Sequence, residues 1–504
     1  MNQVGKSTPP PGWAVAELGM ILPLNYGKGL TEERRDASGR VPVYGSSGIV
    51  GYHSAALTRG PALVIGRKGA VGEVYFSNGP CWPIDTAYYS EAGAGLNPSF
   101  FTYLLRFLVL GNLDKSTAVP SLRRDDYNVV KAPVAPAAEQ TRIVAEIEKQ
   151  FTRLEAGVGA LKRVQTNLKR YRAAVLKAAF EGRLVPTEAE LARRDGRSYE
   201  PASELLVAQP LLAVPRKAQA GVPVPPKPNS KAPVAPDTTN LPKLPEGWEC
   251  CSLRMLIIEG PQNGLYLPKS AYGGGIPILR IDDFQDGWSR NFNELRQVHA
   301  SSAEEKCYSL KVGDLVINRV NSLSHLGKAL LVDHKNLPAL FESNMMRLRL
   351  ATALNSRFIE MYLRSKEGRA RLIQRAKWAV NQASINQTDV GLTLVPLAPV
   401  AEQHRIVAEV ERRLSVIDEL EMQVEANLKR AERLRQAILK RAFEGKLVPQ
   451  DPNDEPASML LERIQGAKAG GTATPGCAPT PSDSVGRGRR KNQKTQPGVA
   501  VSQK

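Results

Sequence analysis

Cysteine is sparse in this 504-residue chain: Cys81, Cys250, Cys251, Cys307 and Cys477 stand apart, with no C-x-x-C pair among them. An odd, unpatterned set argues against a disulfide framework or a cysteine zinc cage and fits reduced thiols in a cytosol. A run of about 18 apolar residues is also missing. Residues 1–11 are polar and proline-rich, so neither a membrane span nor a secretory signal is expected. Acidic residues are in short supply, with 50 Asp and Glu against 68 Lys and Arg, a formal charge of +18. That excess makes a polyanion the first partner to test.

The motifs of common chemistry are absent as well. There is no H-E-x-x-H, no G-x-S-x-G elbow and no G-x-x-x-x-G-K-[ST] loop. The five histidines (His53, His299, His325, His334, His404) are too dispersed to imply a metal site. Gly66-Arg67-Lys68-Gly69-Ala70-Val71-Gly72 is glycine-rich but sits between two strand patterns and lacks the Lys-Ser/Thr of a nucleotide loop. It reads as a basic hairpin tip suited to a DNA backbone, because glycines permit close approach and Arg and Lys supply charge. Asn97-Pro98-Ser99-Phe100 partly mimics the N-P-P-[FY] element of amino-methyltransferases, yet Asn as N-cap and Pro in the first turn of a helix over residues 99–110 explains it better. Asp125-Asp126 and Asp282-Asp283 lack the neighbouring lysine of a nuclease site and read as solvated turn carboxylates.

What is present is repetition. Residues 135–148, APAAEQTRIVAEIE, recur as APVAEQHRIVAEVE at 398–411, each position numbered 263 higher. The same offset relates AFEGRLVP at 179–186 to AFEGKLVP at 442–449, and E-P-A-S at 200–203 returns at 455–458. Between these markers apolar residues step by three or four. In the second copy Val410, Leu414, Ile417, Leu420, Val424, Leu428, Ala431, Leu434 and Ile438 average 3.5 residues per step, the period of a left-handed coiled-coil seam. The first copy runs through Ile143, Ile147, Phe151, Leu154, Val158, Leu161, Leu168, Tyr171 and Val175, with Gly157 and Gly159 as a local weakness. Two such helices would pack on each other, or each would cover its own globular domain.

The regions before the helices are related too. Pro11-Gly12-Trp13 matches Glu246-Gly247-Trp248, Pro42-Val43-Tyr44 matches Pro277-Ile278-Leu279, and Leu63-Val64-Ile65-Gly66-Arg67 matches Leu315-Val316-Ile317-Asn318-Arg319. The last pair reads as buried strands from which an arginine emerges. The fold class expected is α+β, or mixed α/β, internally duplicated, with a further helix over residues 358–377. Ten prolines between Gln209 and Pro245 mark an extended linker. Residues 466–504 are expected to form a basic, disordered tail that includes Arg487-Gly488-Arg489-Arg490-Lys491.

Candidate DNA contacts are the polar side chains at loop positions. In the first half they are Ser46, Ser47, Arg67, Lys68, Ser121, Arg123 and Arg124. In the second they are Arg280, Asn318, Arg319, Asn321, Lys328, Asn381, Gln382 and Asn386. Arg pairs with guanine and Asn or Gln with adenine in the major groove. For any single residue a solvated side chain or helix cap is an equal reading; together, on two related halves of a basic chain, they favour DNA.

Two variable halves, each closed by P-x-A-x-x-A-E-Q-x-R-I-V-A-E and a long helix ending A-F-E-G-[KR]-L-V-P, resemble the specificity subunit of type I restriction–modification systems over about residues 10–465. The resemblance implies target-recognition domains at 1–137 and 244–400. It implies conserved spacer helices at 138–207 and 401–465, joined by the linker at 208–243. It further implies a non-catalytic chain without cofactor or metal of its own, which binds double-stranded DNA at a bipartite site. Two modification subunits using S-adenosylmethionine, and restriction subunits using ATP with Mg2+, would assemble on it in the cytoplasm. Glu139, Gln140 and Arg142, repeated as Glu402, Gln403 and Arg405, are candidates for docking two identical modification subunits; a local helix-start role for the acids is the equal alternative. The long linker and basic tail depart from the family pattern. A coiled-coil scaffold with non-specific DNA affinity, or a DNA methyltransferase, are the rival readings.

If the helices pair antiparallel, the recognition domains lie at opposite ends and the DNA between the half-sites is spanned unread. Adding one heptad to both helices would then lengthen the target's unspecified spacer by roughly three base pairs, at 1.5 Å per helical residue. Sequencing of methylated adenines checks this; an unchanged spacing in a folded variant would remove the ruler.

Overall fold

The computed structural model describes residues 9–470 apart from 37, 92, 94, 115–119, 208–242, 286–287, 323 and 380–381. The proline-rich linker, Asn381, Cys477 and most of the basic tail lie outside the described residues. The chain divides into two units, Met1–Glu155 with Glu432–Lys504, and Ala156–Ala431. Both boundaries fall inside the long helices Ala137–Phe180 and Val400–Phe443, so each unit contains chain from both repeats.

In the first unit a four-stranded antiparallel sheet runs in the order Asn25–Tyr26, Ala87–Glu91, Ala62–Gly66, Val74–Ser77. A three-stranded sheet places Val41–Gly45 between Gly48–His53 and Trp82–Pro83. Ala14–Glu17 pairs with Lys131–Val134, which brings the start of the domain to the start of the first long helix. The expected helix spans Pro98–Leu108. Asn97 caps it, its side chain accepting from the Ser99 and Phe100 amides. Phe100, Phe101, Leu104 and Leu105 from this helix form the core with Ile143, Ile147 and Phe151 of the first long helix. Ile438, Leu439, Ala442 and Phe443, from the end of the second, complete it.

The second unit repeats this plan. Its four-stranded sheet runs Ile257–Asn263, Met345–Leu350, Leu315–Asn318, Ala329–Leu331, and Tyr272–Leu279 lies between Arg296–Val298 and Leu340–Phe341. Glu249–Ser252 pairs with Leu394–Leu397 as the entry-to-exit ribbon. Here Ile406, Val407 and Val410 meet Val175, Leu176, Ala179 and Phe180 in one core. The single helix expected over 358–377 is two, Ser356–Arg364 and Lys366–Ile373. Ser365 breaks it by adopting an extended backbone and accepting from the Gly368 amide through its side chain. A Cβ on Gly368 would lie 1.9 Å from the Tyr362 carbonyl oxygen, so the sharp corner requires glycine there.

The long helices pair antiparallel within each unit. Arg435 bonds Glu155 at 3.1 Å and lies over the Phe151 ring in the first; Arg172 bonds Asp418 and Glu421 in the second. The seam is narrower than its sequence period suggests. Val410, Leu414, Ile417, Val424, Ala431 and Ile438 are buried, whereas Leu420, Leu434 and Tyr171 are exposed. A helix of 3.6 residues per turn drifts against a 3.5 repeat unless it supercoils, so some seam positions rotate outward. The helix Ala137–Phe180 is continuous through Gly157 and Gly159. At the far end Ala457–Gly470 is helical, which carries ordered structure past residue 466, where the tail was expected to begin.

The repeated signatures are packing devices. Gly182 and Gly445, at φ 65° and 66°, end the two long helices in the left-handed region. The next amides, Arg183 and Lys446, return to the Ala178 and Arg441 carbonyls at 2.9 and 2.8 Å, a Schellman closure. A Cβ on either glycine would meet Pro245 at 2.2 Å or Pro10 at 2.5 Å, so each helix end lies directly on the segment that leads into a domain's first strand. The E-P-A-S segments close the same corner, with the Ala202 and Ala457 amides donating to the Gly247 and Gly12 carbonyls at 2.8 Å.

Candidate nucleic-acid interface

The candidates of the first half converge on one face of the first unit. Strand Ala62–Gly66 is buried throughout and delivers Arg67 at its end. The Arg67 amide donates to the Thr86 carbonyl, and its own carbonyl accepts the Leu122 amide at 2.8 Å. Lys68 bridges to Ser121, which sets Arg123 and Arg124 beside the hairpin tip. The Ser46–Ser47 turn joins the group, since a Cβ on Gly69 would touch the Ser46 hydroxyl at 3.4 Å. Arg67 donates through Nε to the Asp85 carbonyl at 3.0 Å, and its guanidinium lies 5.4 Å from the Tyr26 ring centre. Arg124 lies 5.5 Å from the same ring. Tyr26 is half exposed, and among the described residues no carboxylate pairs with Arg67, Lys68, Arg123 or Arg124. Such a patch attracts phosphate by charge and leaves planar guanidinium edges for bases. Tyr26 was not among the sequence candidates, because nothing local distinguishes an isolated tyrosine.

The second unit keeps the framework and changes its decoration. Arg319 follows strand Leu315–Asn318 and accepts the Ile385 amide at 2.9 Å, the counterpart of the Arg67–Leu122 bond. Its guanidinium donates to the Ser343 carbonyl at 3.1 Å. Asn318, however, is wholly buried, donating to the Ile281 carbonyl, and Lys328 is 8% exposed with Nζ 3.5 Å from Gln285. Both belong to the interior here and leave the set of exposed candidates, because Ile281 and Gln285 lie against the strand end in this unit. Arg280 is half-buried and ion-paired to Glu342 at 3.3 Å. Gln382 is exposed, whereas the exposed Asn386 spends its side-chain oxygen on the Asp389 amide as a helix cap. Asn321 pairs with Ala383 in the strand register. Trp288 and Trp378 stand exposed in this unit and were not singled out from sequence.

The docking candidates face inward. Glu139 accepts the Trp13 indole N–H at 3.0 Å, and Glu402 accepts that of Trp248 at 2.9 Å. Gln140 donates to the Ala135 carbonyl and accepts the Asn97 amide; Gln403 does the same with Ala398 and Asn355. All four side chains are buried, so a partner could meet only the surface they support. Arg142 and Arg405 reach the surface in ion pairs with Asp454 and Glu188, each at 2.6 Å.

Burial pushes the Glu139 carboxyl above the usual range, against the Trp13 bond and nearby Arg142. The stabilising contribution of a group raised in this way is complete below its unfolded value, about 4.3, and is lost as pH rises through the folded one. Glu139→Gln keeps an acceptor for Trp13 and replaces an oxygen that has no hydrogen-bond partner. The variant should therefore gain stability relative to the parent as pH rises above about 4.3. Urea unfolding across that range checks it; a pH-independent difference would contradict the buried-charge argument.

Among the described residues no cluster of three or more His, Cys, Asp or Glu is placed to hold a metal ion, and no helix is long and apolar enough to cross a membrane. A family model described as the type I restriction modification DNA specificity domain matches residues 10–160. The type I restriction enzyme StySPI specificity subunit of Salmonella potsdam is 27% identical over 430 residues, covering 81% of this chain and 80% of the relative. The EcoKI specificity subunit of Escherichia coli K12 is 26% identical over 372 residues, covering 71% and 68%. A chain from a solved structure concerned with complex assembly and conformational transition of the type I system superposes over 88% of this chain and all of its own. Its TM-score is 0.55 at 20% identity, a likeness of fold. With both signatures and both domains duplicated in one framework, the chain is similar along most of its length to DNA specificity subunits of type I restriction–modification systems.

Proposed function

We propose that each unit reads one half of a bipartite double-stranded DNA target with an unspecified spacer, and that the chain positions methyltransferase and restriction subunits on it. S-adenosylmethionine, and ATP with Mg2+, would act on those partners, two modification subunits docking at the repeated helix starts in the cytoplasm. The observation that carries this reading is the shared strand end. Arg67 and Arg319 occupy equivalent positions, each tied by one backbone bond to the segment that precedes the closing ribbon. One framework thus presents two different sets of side chains, as two independent half-sites require. The first unit offers unpaired cations beside Tyr26, the second amides and indoles.

Replacing residues 1–137 with the equivalent segment of another specificity subunit should change one half of the methylated motif and leave the other. Sequencing methylated adenines in cells carrying the system reads this directly, and an unaltered motif would refute it. Within the first unit, Arg67→Ala should cost about 1–3 kcal/mol of discrimination at one base pair. Lys68→Ala should instead weaken all sequences alike and lower the salt slope by about one. Titrations at several salt concentrations separate the two.

A further inference from the structure

Two loops of the second unit each carry an exposed tryptophan. In the first unit Val41–Gly45 and Gly48–His53 are joined by the two-residue turn Ser46–Ser47. In the second unit the corresponding strands, Tyr272–Leu279 and Arg296–Val298, are separated by residues 280–295, which include the antiparallel pair Phe284–Gln285 and Trp288–Ser289. At the other loop, where Lys68 bridges to Ser121 among the described residues of the first unit, the second unit has a three-stranded sheet in which Gln382–Ser384 lies between Val320–Asn321 and Lys377–Ala379. Trp288 is 54% exposed and Trp378 is 64% exposed.

Both additions border the strand end that holds Arg319. The first reaches it through Asn318 and the Ile281 carbonyl and through Lys328 and Gln285; the second begins at Val320 and returns at Ile385. They grow from the very positions that hold Ser46, Ser47, Lys68 and Ser121 in the first unit. Cations lie near each indole. The Arg290 guanidinium, ion-paired to Asp283 at 3.2 Å, lies 5.7 Å from the Trp288 ring centre, and Arg375 and Lys377, near Trp378 in sequence, are exposed. An exposed indole near cations suits duplex DNA, where phosphates take the charge and a thymine methyl offers an apolar contact in the groove.

We infer that Trp288 and Trp378 are specificity-determining residues of the second unit, making apolar contacts to bases of its half-site. This rests on the reading of the chain as a two-part DNA recognition subunit. The test uses the complete chain assembled with its modification subunits and a duplex carrying the motif found by methylated-adenine sequencing. Trp288→Ala and Trp378→Ala should each weaken binding to the cognate duplex about 5- to 150-fold, with Trp→Phe retaining most of it. The lost discrimination should fall only in the half-site that is unaffected by exchanging residues 1–137. Because no charge is removed, the dependence of log affinity on log salt should stay at the parental slope, unlike that of Lys377→Ala. Parental affinity and motif in both alanine variants would overturn the inference, as would equal losses in both half-sites. Weakened assembly without DNA, measured by native mass spectrometry, would also overturn it by assigning the indoles to a protein partner. If the parent complex itself shows no sequence preference, the two-part recognition reading fails first, and with it this inference.

Discussion

Phe443→Ala should destabilise the recognition domain that begins more than three hundred residues earlier in the chain. Phe443 closes the second long helix, but its ring packs against Phe100 at 5.4 Å and Phe107 at 5.3 Å, on the helix Pro98–Leu108 of the first unit. Phe180 makes the reciprocal contacts, 5.2 Å to Phe358 and 5.2 Å to Tyr362 in the second unit. Truncating a buried Phe to Ala removes transfer free energy and leaves a cavity, together about 3–5 kcal/mol. Hydrogen exchange should therefore show protection lost from residues 98–108 in Phe443→Ala and from residues 356–364 in Phe180→Ala. Loss in the domain that precedes each phenylalanine in its own repeat would contradict the exchange of helix ends between units.

A second large effect is expected at the buried glutamines. Gln403→Leu keeps the size of the side chain but leaves the Asn355 amide and the Ala398 carbonyl without their partners at 3.0 and 2.8 Å. Each backbone group left unpaired costs about 1–3 kcal/mol. Gln140→Leu does the same to Asn97 and Ala135 in the first unit. The loss should appear in chemical denaturation of the isolated chain, before any partner is added. A variant of parental stability that fails only in assembling with modification subunits would return these residues to a direct docking role.

The duplication, the helix over Pro98–Leu108 and the two long helices were legible because their signals are local. Asn97 caps the turn it precedes, and an apolar residue at every third or fourth position marks a face whatever lies opposite. The strand ends with Arg67 and Arg319 were legible for the same reason, as buried β-branched runs interrupted by a charge. Local period also misled. It counted Leu420, Leu434 and Tyr171 into a seam they do not enter, and ran one helix through Ser365, where a side chain competes for the backbone.

By itself, then, the sequence determined that there are two copies of one plan, the family they resemble, and the helices that close each copy. Only the tertiary structure decided which side of those helices is inside. The Glu-Gln pair reads as an exposed helix start until Trp13 arrives from 126 residues away and Trp248 from 154 to bury it. It also decided that Asn318 and Lys328 are interior, that Tyr26 stands between two arginines, and that each domain is finished by the other repeat's helix end. Periodicity and capping act over a few residues, whereas burial depends on partners brought together by antiparallel pairing and strand register. Neither is written in any single segment of the chain.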